Sequence, residues 1–312
     1  MSLPFLQSYL GLSNSLQTAQ GGATSTGTRG VISAGAPVSE VPINVMDYIT
    51  IATTGNATDF GDNLVTVYRA AGCNSDVRGI KAGGNSGPEV NVIEYITIAT
   101  LGNGTDFGDL TATRASTPAG INSDVRGVIA GGALTFNYTN TMEYITIATT
   151  GNATSFGNLA SVLGFTSGCN SITRGLITGG DTGSYTAVIQ YITIATPSNT
   201  TNFGNLTVAR AYCADLNSDV RGVITGGYNG AGNQNVIEYV TIATTGNATD
   251  FGDLTLARNS GTAVNSSTRG VMVAGSNNNV MDYITIATTG NATDFGDLNN
   301  SLSYLTGVQN GL

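Results

Sequence analysis

The sequence predicts an all-β protein, a six-bladed β-propeller with four antiparallel strands in each blade. One unit of ~48 residues recurs six times along the chain, as in repeat architectures. The composition, with 43 Gly, abundant Thr, Asn and Ser, and no Trp or His, is typical of many short strands and turns. The central strand of the unit is apolar or small on both faces, which indicates sheets packed face to face on both neighbours.

Three short motifs mark each copy of the unit: an Arg-Gly pair, a Tyr-Ile-Thr-Ile-Ala-Thr segment and a Phe-Gly pair. Their first residues are Arg29, Arg78, Arg126, Arg174, Arg221 and Arg269; Tyr48, Tyr95, Tyr144, Tyr191, Tyr239 and Tyr283; and Phe60, Phe107, Phe156, Phe203, Phe251 and Phe295. The repeat cores are 29–77, 78–125, 126–173, 174–220, 221–268 and 269–312, within a domain over 20–312. A linear β-solenoid is the alternative, although it usually has a shorter repeat and polar caps.

The unit that begins at Ala211 illustrates the four strands. Its first strand is Ala-Tyr-Cys-Ala-Asp-Leu, and the second runs from Arg221 to a di-glycine at Gly226-Gly227. After a variable loop, the third strand contains Tyr239, and the fourth begins at Asp250. Alternation of side chains along the third strand places Tyr239 and Thr241 on one face.

The two ends of the chain are predicted to share one blade. The first copy begins at its second strand, and residues 307–310 match the first strand of the other units. Completing one blade from both ends closes the ring and leaves no free sheet edge. Residues 1–19 form an apolar leader that we expect to dock on the propeller or on a partner.

Charge and composition exclude several classes of function. With 11 basic and 20 acidic residues and a net charge of -9, the chain has no basic patch for nucleic acid. No apolar segment approaches the ~20 residues needed for membrane insertion. Without His there is no Ser-His-Asp triad and no His metal ligand. The sequence therefore predicts no catalytic residue, cofactor or metal, and a carboxylate-dependent glycosidase is the enzymatic alternative.

A second set of arginines indicates buried ion pairs. The Ala-Arg element is missing from one unit, and that same unit replaces the acid before Tyr by Gln190. The joint loss predicts structural pairs of Arg69 with Glu94, Arg114 with Glu143, Arg210 with Glu238, and Arg258 with Asp282. A ring of arginines that binds an anion on the axis is the alternative interpretation.

The Asp-Phe-Gly-Asp segments carry two carboxylates three residues apart, which can bind Ca²⁺ in a suitable turn. Ser155 and Asn158 replace both acids in one unit, Asn202 and Asn205 replace them in another, and the spacing lacks a full ligand set. We therefore expect these side chains to cap turns and to bind no metal.

The loops after the di-glycines differ from unit to unit, whereas the turns at the other ends of the strands are nearly uniform. Antiparallel strands place all these loops on one face, where Phe136, Tyr138, Tyr185 and Tyr228 are expected to cluster. Amphipathic aromatic side chains on a polar surface suit a saccharide or a protein partner. The alternative is that the variation reflects only the tolerance of loops for change.

The unit resembles the Kelch repeat over residues 20–310. The di-glycine Gly83-Gly84 and the acid-Tyr pair Glu94-Tyr95 match that family, while Phe107 and its equivalents replace the family's Trp. The phrase Y-I-T-I-A-T-x-G-N-A-T-D-F-G-D-L is also similar to repeats in proteins of marine cyanobacterial phages that are predicted to be structural.

That second resemblance implies a non-enzymatic virion protein, associated with the tail and acting in host attachment. Its implied partners are other tail or baseplate proteins, within a symmetric assembly, and a host-surface saccharide. A soluble carbohydrate-binding propeller is the alternative.

Overall fold

The computed structural model describes residues 28–33, 35–37, 41–134 and 137–310. Its regular elements over these residues are all β-strands. The predicted leader, residues 1–19, and Phe136 lie outside the described residues.

The strands form six four-stranded antiparallel sheets, the blades, each written here from its inner to its outer strand. Blade 1 contains β26 (Thr306–Gln309), β1 (Arg29–Ser33), β2 (Val45–Thr50) and β3 (Thr58–Asp62); blade 2 contains β4 (Ala71–Asn74), β5 (Arg78–Ala82), β6 (Val92–Thr97) and β7 (Thr105–Asp109); blade 3 contains β8 (Ala119–Asn122), β9 (Arg126–Ala130), β12 (Thr141–Thr146) and β13 (Thr154–Asn158). Blade 4 contains β14 (Ser167–Asn170), β15 (Arg174–Thr178), β16 (Val188–Thr193) and β17 (Thr201–Asn205); blade 5 contains β18 (Ala214–Asn217), β19 (Arg221–Thr225), β20 (Val236–Thr241) and β21 (Thr249–Asp253); blade 6 contains β22 (Thr262–Asn265), β23 (Arg269–Gly275), β24 (Asn278–Thr285) and β25 (Thr293–Leu302). A small hairpin of β10 (Ala133–Leu134) and β11 (Asn137–Tyr138) lies in a loop of blade 3.

The inner strands contact one another in a circle around a central axis, in the order β26, β4, β8, β14, β18, β22 and back to β26. In blade 1 the inner strand comes from the far end of the chain, with Gly30 opposite Gln309 and Ser33 opposite Thr306. The six-bladed propeller predicted from the repeat is confirmed.

Apolar side chains fill the spaces between the blades. Each repeat Phe is buried and packs edge-on against the repeat Tyr of its own blade, as in Tyr95 and Phe107 with ring centroids 6.1 Å apart. The glycine of each Arg-Gly pair lets the preceding blade approach closely. A Cβ on Gly79 would lie 2.5 Å from Val308 Cγ2 of blade 1, so a larger residue would push the blades apart.

The six arginines of the Arg-Gly pairs tie each blade to the next. Arg126 of blade 3 stacks over Tyr144, 4.3 Å from the ring centroid, and donates to the carbonyls of Ile194 (2.9 Å) and Ala195 (2.7 Å) in blade 4. The same contact recurs from Arg29 to Ile98, Arg78 to Ile147, Arg174 to Ile242, Arg221 to Ile286 and Arg269 to Ile51. These guanidinium groups form a closed circle of contacts to main-chain carbonyls.

A second circle of contacts runs around the outside of the propeller. The Asp-Phe-Gly-Asp residues form the outer strands, not turns, and Asp59 and Asp62 are exposed, so the predicted capping role is wrong. The capping group is instead Asn103 of the next blade, whose Oδ1 accepts from the Asp62 N–H at 3.0 Å. Gly61 (φ 146°) is required there, because a Cβ would lie 2.6 Å from the Gly102 carbonyl oxygen. No cluster of three or more acidic, His or Cys side chains that could hold a metal ion occurs among the described residues.

Candidate binding face

One face of the propeller, called here the loop face, carries the connections between the second and third strands and the segments that lead into the inner strands. The two sets of segments touch, as where Tyr68 forms a β-bridge with Asn85. The opposite face carries the nearly uniform Asn-Ser-Asp turns and the Thr-Gly-Asn-Ala-Thr turns.

A closed ring of six main-chain hydrogen bonds surrounds the axis on the loop face. It is built from the residue two positions before each inner strand, each with a left-handed φ of 45–63°, except that in blade 3 Ser116 supplies the carbonyl in place of Thr117. The bonds run from Arg69 N to Tyr304 O, Thr117 N to Arg69 O, Phe165 N to Ser116 O, Tyr212 N to Phe165 O, Ser260 N to Tyr212 O, and Tyr304 N to Ser260 O. Because the main chain closes this axial ring, its side chains are free to differ between blades.

Several of those side chains form an aromatic cluster around one cation. The Arg69 guanidinium lies 4.2 Å from the ring centroid of Tyr304, 5.0 Å from Tyr68 and 5.5 Å from Phe165. Phe165 stacks on Tyr212 with centroids 4.3 Å apart, and Tyr138 packs edge-on against Phe165 at 5.9 Å. Cation–π contacts of this kind stabilise by about 0.5–2 kcal/mol, depending on how far the cation is desolvated. We call these six residues the axial aromatic cluster.

The structure brings together some of the aromatic residues predicted for this face. Tyr138 belongs to the axial cluster and donates from its hydroxyl to Asp181 Oδ2 at 3.0 Å. Burial, followed by this hydrogen bond, raises the pKa of Tyr138 to about 12, so its phenol is a neutral donor. Tyr185 and Tyr228 form a separate edge-on pair, with centroids 5.8 Å apart.

Sequence reasoning missed four aromatic residues of the axial cluster: Tyr68, Phe165, Tyr212 and Tyr304. The sequence signal that could have identified most of them is their position relative to the inner strand, not their residue type. When the units are aligned on their inner strands, the position two residues earlier holds Arg69, Phe165, Tyr212 and Tyr304 in four blades. Because these residues differ, a comparison that looks for repeated letters passes over them.

Three of the four proposed ion pairs are in contact. Arg114 lies 2.8 Å from Glu143, Arg210 lies 2.6 Å from Glu238, and Arg258 lies 3.0 Å from Asp282, all with side chains at most 4 % exposed. Each pair connects the segment that precedes an inner strand to the third strand of the same blade. They do not contribute to the loop face.

The proposed pair of Arg69 with Glu94 is wrong. Glu94 instead binds Lys81, at 2.8 Å, from the neighbouring strand of the same blade. The paired arginines Arg210 and Arg258 stand four residues before their inner strands, whereas Arg69 stands two before its own and Val67 occupies the equivalent position. In blade 2 the positive charge that pairs with the acid therefore comes from Lys81, because the position of the paired arginine is occupied by Val67.

A polar pocket of about 300 Å³ opens on the loop face between blades 5, 6 and 1. Its lining consists of Pro37, Asn233, Asn259, Ser260, Ser276, Asn277, Ser303 and Tyr304. None of these described lining residues is charged. We call this cavity the asparagine pocket.

The central channel is narrow and contains one notable carboxylate. Its free volume is about 90 Å³, because glycines bring the inner strands together. Asp215 accepts hydrogen bonds from Ser167 Oγ at 2.8 Å and Thr178 Oγ1 at 2.6 Å. Burial raises the pKa of Asp215 to about 7 despite these bonds.

The fold is a six-bladed β-propeller whose loop face carries an aromatic cluster and a polar pocket. The chain matches no protein-family model, and no curated protein matches it in sequence. Among solved structures it is similar to the one titled "Structure of YjhT", with a TM-score of 0.66 over 78 % of this chain and 87 % of that chain. At 9 % sequence identity this similarity shows the fold alone. In the described part of the chain, no helix is long and apolar enough to cross a membrane.

Proposed function

We propose that the protein is a non-enzymatic structural and adhesion component of a phage particle, associated with its tail. Its loop face binds a partner protein of the virion or a host-surface glycan. The observation that carries this proposal is that repeated and non-repeated residues have different roles. Repeated residues such as Arg126 and Asn103 serve contacts between blades, whereas the aromatic cluster and the polar pocket gather on one face.

The buried acids support a binding role rather than hydrolysis. A glycosidase needs two carboxyl groups that face a substrate across ~5–10 Å. Glu143 is instead held by Arg114 and by the N–H and hydroxyl of Thr111, and Glu238 by Arg210 and the Thr207 N–H. Asp215 lines a channel of about 90 Å³, below the ~300 Å³ of ordinary ligand pockets.

The phage assignment rests on the similarity of the repeated phrase to phage structural proteins. The structure gives that phrase a mechanical role, because Thr-Gly-Asn-Ala-Thr of one blade binds Asp-Phe-Gly-Asp of the blade before it. Gly151 N donates to Phe107 O at 2.7 Å, and Ala153 N to Asp109 O at 2.8 Å. A propeller joined in this way around its circumference suits a component that must keep its shape outside a cell.

Purified particles of the encoding phage provide the test. We expect mass spectrometry to find this chain in the particles and gold-labelled antibody to mark the tail. A chain that is abundant in infected-cell lysate but absent from purified particles would refute the virion assignment.

The asparagine pocket favours a second candidate, a soluble carbohydrate-binding propeller. That protein would bind glycans saturably and would not copurify with particles. A glycan array, read together with the particle analysis, therefore separates the two candidates.

A further inference from the structure

The asparagine pocket exists because blade 6 has a short connection. A two-residue turn, Ser276–Asn277, joins β23 to β24, whereas nine residues join β5 to β6 in blade 2. The missing loop uncovers a space bounded by Asn233 of blade 5 and by Ser303 and Tyr304 of blade 1. Among the described residues, the pocket is therefore an asymmetric feature of a repetitive molecule.

We propose that this pocket binds one neutral sugar residue, the terminal pyranose of a surface glycan. The inference rests on the proposed adhesion function and specifies the ligand for the case in which the loop face binds a glycan. Sugar hydroxyls both donate and accept hydrogen bonds. The pocket offers matching groups, since Asn amides and Ser hydroxyls each supply both donors and acceptors.

A network of hydrogen bonds holds these polar groups in place before any ligand arrives. Asn259 Nδ2 donates to Asn233 Oδ1 at 2.5 Å, and Asn233 Nδ2 donates to Ser276 Oγ at 3.0 Å. On the other side, the Asn277 N–H donates to Ser303 Oγ at 2.9 Å. A site that is ordered in advance loses less conformational entropy on binding.

The backbone around the pocket is strained. Ser260, Ser276, Asn277 and Tyr304 all adopt left-handed φ angles, between 51° and 61°. Such residues cost of order 1 kcal/mol or more each and gather at functional sites. Ser260 and Tyr304 take this conformation as members of the axial ring, and Ser276 and Asn277 as the turn between β23 and β24, so these backbone angles fix the shape of the pocket rim.

Tyr304 gives the pocket the apolar wall that a pyranose needs. Sugar rings carry C–H groups on one face, and aromatic rings with a polar tip suit such amphipathic ligands. The ring of Tyr304 is held by contacts with Arg69, 4.2 Å from its centroid, and with Tyr68, at a centroid separation of 5.8 Å. No hydrogen-bond partner of the Tyr304 hydroxyl is found among the described residues, so the phenol can serve a ligand.

Size and charge narrow the ligand class. A volume of about 300 Å³ is at the small end of ligand pockets, which suits one sugar residue rather than a chain. The described lining has no cation to bind an acidic sugar and no carboxylate to hold a metal ion. Neutral pyranoses therefore fit better than uronic acids.

The test is titration of the full chain with glucose, galactose, mannose and N-acetylglucosamine, with glucuronic acid as the charged comparator. We expect at least one neutral sugar to bind saturably, with a dissociation constant on the order of millimolar, and glucuronic acid to bind more weakly. Calorimetry or saturation-transfer NMR measures the affinity.

Two variants test the pocket itself. Asn277→Gly removes the amide while keeping the left-handed backbone, and Tyr304→Phe removes only the hydroxyl. Each is expected to weaken sugar binding by about tenfold, the loss of one good hydrogen bond. Asn235→Ala, an exposed asparagine outside the pocket on the same face, is the matched control and should bind like the parent. Melting temperatures verify that all variants fold.

The outcomes separate this inference from the proposed function. Glycan binding that survives both variants would place the sugar elsewhere on the loop face, refuting the pocket but leaving adhesion intact. Absence of binding to any neutral sugar, in a chain that is found in particles, would also refute the pocket and leave a protein partner as the ligand of this face.

Discussion

Stability is expected to fall as the pH rises from about 4 to about 7, through one carboxyl group on the axis. Asp215 occupies a channel position that is glycine or alanine in the other blades, as in Gly72 and Ala263. Burial raises its pKa from 3.8 to about 7. The folded protein therefore holds a proton at a pH where the unfolded chain has released it.

The sign and size follow from proton linkage. An acid whose pKa is raised on folding stabilises the fold fully below the unfolded pKa, near 4, and loses that contribution as pH passes the folded pKa, near 7. At about 1.4 kcal/mol per pKa unit, a rise of roughly three units corresponds to about 4 kcal/mol. This is an upper bound, because part of the side chain faces the channel.

Urea unfolding at pH 4.5, 6.0, 7.5 and 8.5 measures the effect on the free energy of unfolding. We expect the parent to lose up to about 3 kcal/mol across this range, because part of the effect is already lost at pH 4.5, and Asp215→Asn to lose much less. Asp215→Ala, which copies the residue of blade 6, should behave like the Asn variant. The exposed Asp219→Asn is the control and should keep the parental pH dependence.

An equal pH dependence in the parent and in Asp215→Asn would refute this reasoning. Asp47 is a second contributor of the same sign, since burial raises its pKa against the hydrogen bond from Asn299. Any slope that remains in Asp215→Asn is therefore expected to shrink further when Asp47→Asn is added.

Three other predictions concern contacts between and within blades. Arg210→Ala is expected to cost about 3–5 kcal/mol by leaving Glu238 buried and unpaired. Arg210→Leu with Glu238→Gln copies the residues at the equivalent positions of blade 4, Leu163 and Gln190, and should cost much less; additive losses in a denaturation cycle would contradict the coupling. Arg126→Ala should lower the free energy of unfolding by about 2 kcal/mol, because it removes the hydrogen bonds to two carbonyls of blade 4. Arg126→Lys should recover only part of this loss, since a lysine cannot both stack on Tyr144 and bind two carbonyls. Full recovery by Lys would contradict this role of the guanidinium. Deleting residues 299–312 should lower the melting temperature of the whole domain, because β26 is the inner strand of blade 1; an unchanged melting curve would show that closure contributes nothing.

The fold could be predicted from sequence because most repeated residues do the same work in every blade. Arg126 and Phe107 have equivalents in all six units, and each makes the contact that its equivalents make. A residue that recurs in every unit therefore has the same structural surroundings in every blade. Pairing by residue type failed at Arg69, because an arginine two positions away from the repeat position has different neighbours.

The candidate site could be predicted only in part, because it depends on what is not repeated. Tyr138 was visible as an aromatic residue in a variable loop. Tyr304 and Phe165 were hidden at the strand entries, where their neighbours along the chain say nothing about which rings meet across the axis. The asparagine pocket arises from a short connection in blade 6, and its walls combine loop residues from 233 to 304 with Pro37 of the first repeat.

The axial ring of hydrogen bonds has a consequence for how this surface can change. Its six links use only main-chain atoms, so they ask of each residue a backbone angle and not a chemical identity. Arginine, threonine, phenylalanine, tyrosine and serine already occupy equivalent places in one molecule. The centre of the loop face thus carries six side chains that the hydrogen bonds of the ring do not require, and four of them, Arg69, Phe165, Tyr212 and Tyr304, contact one another. New specificity can arise there by single substitutions while the propeller stays closed.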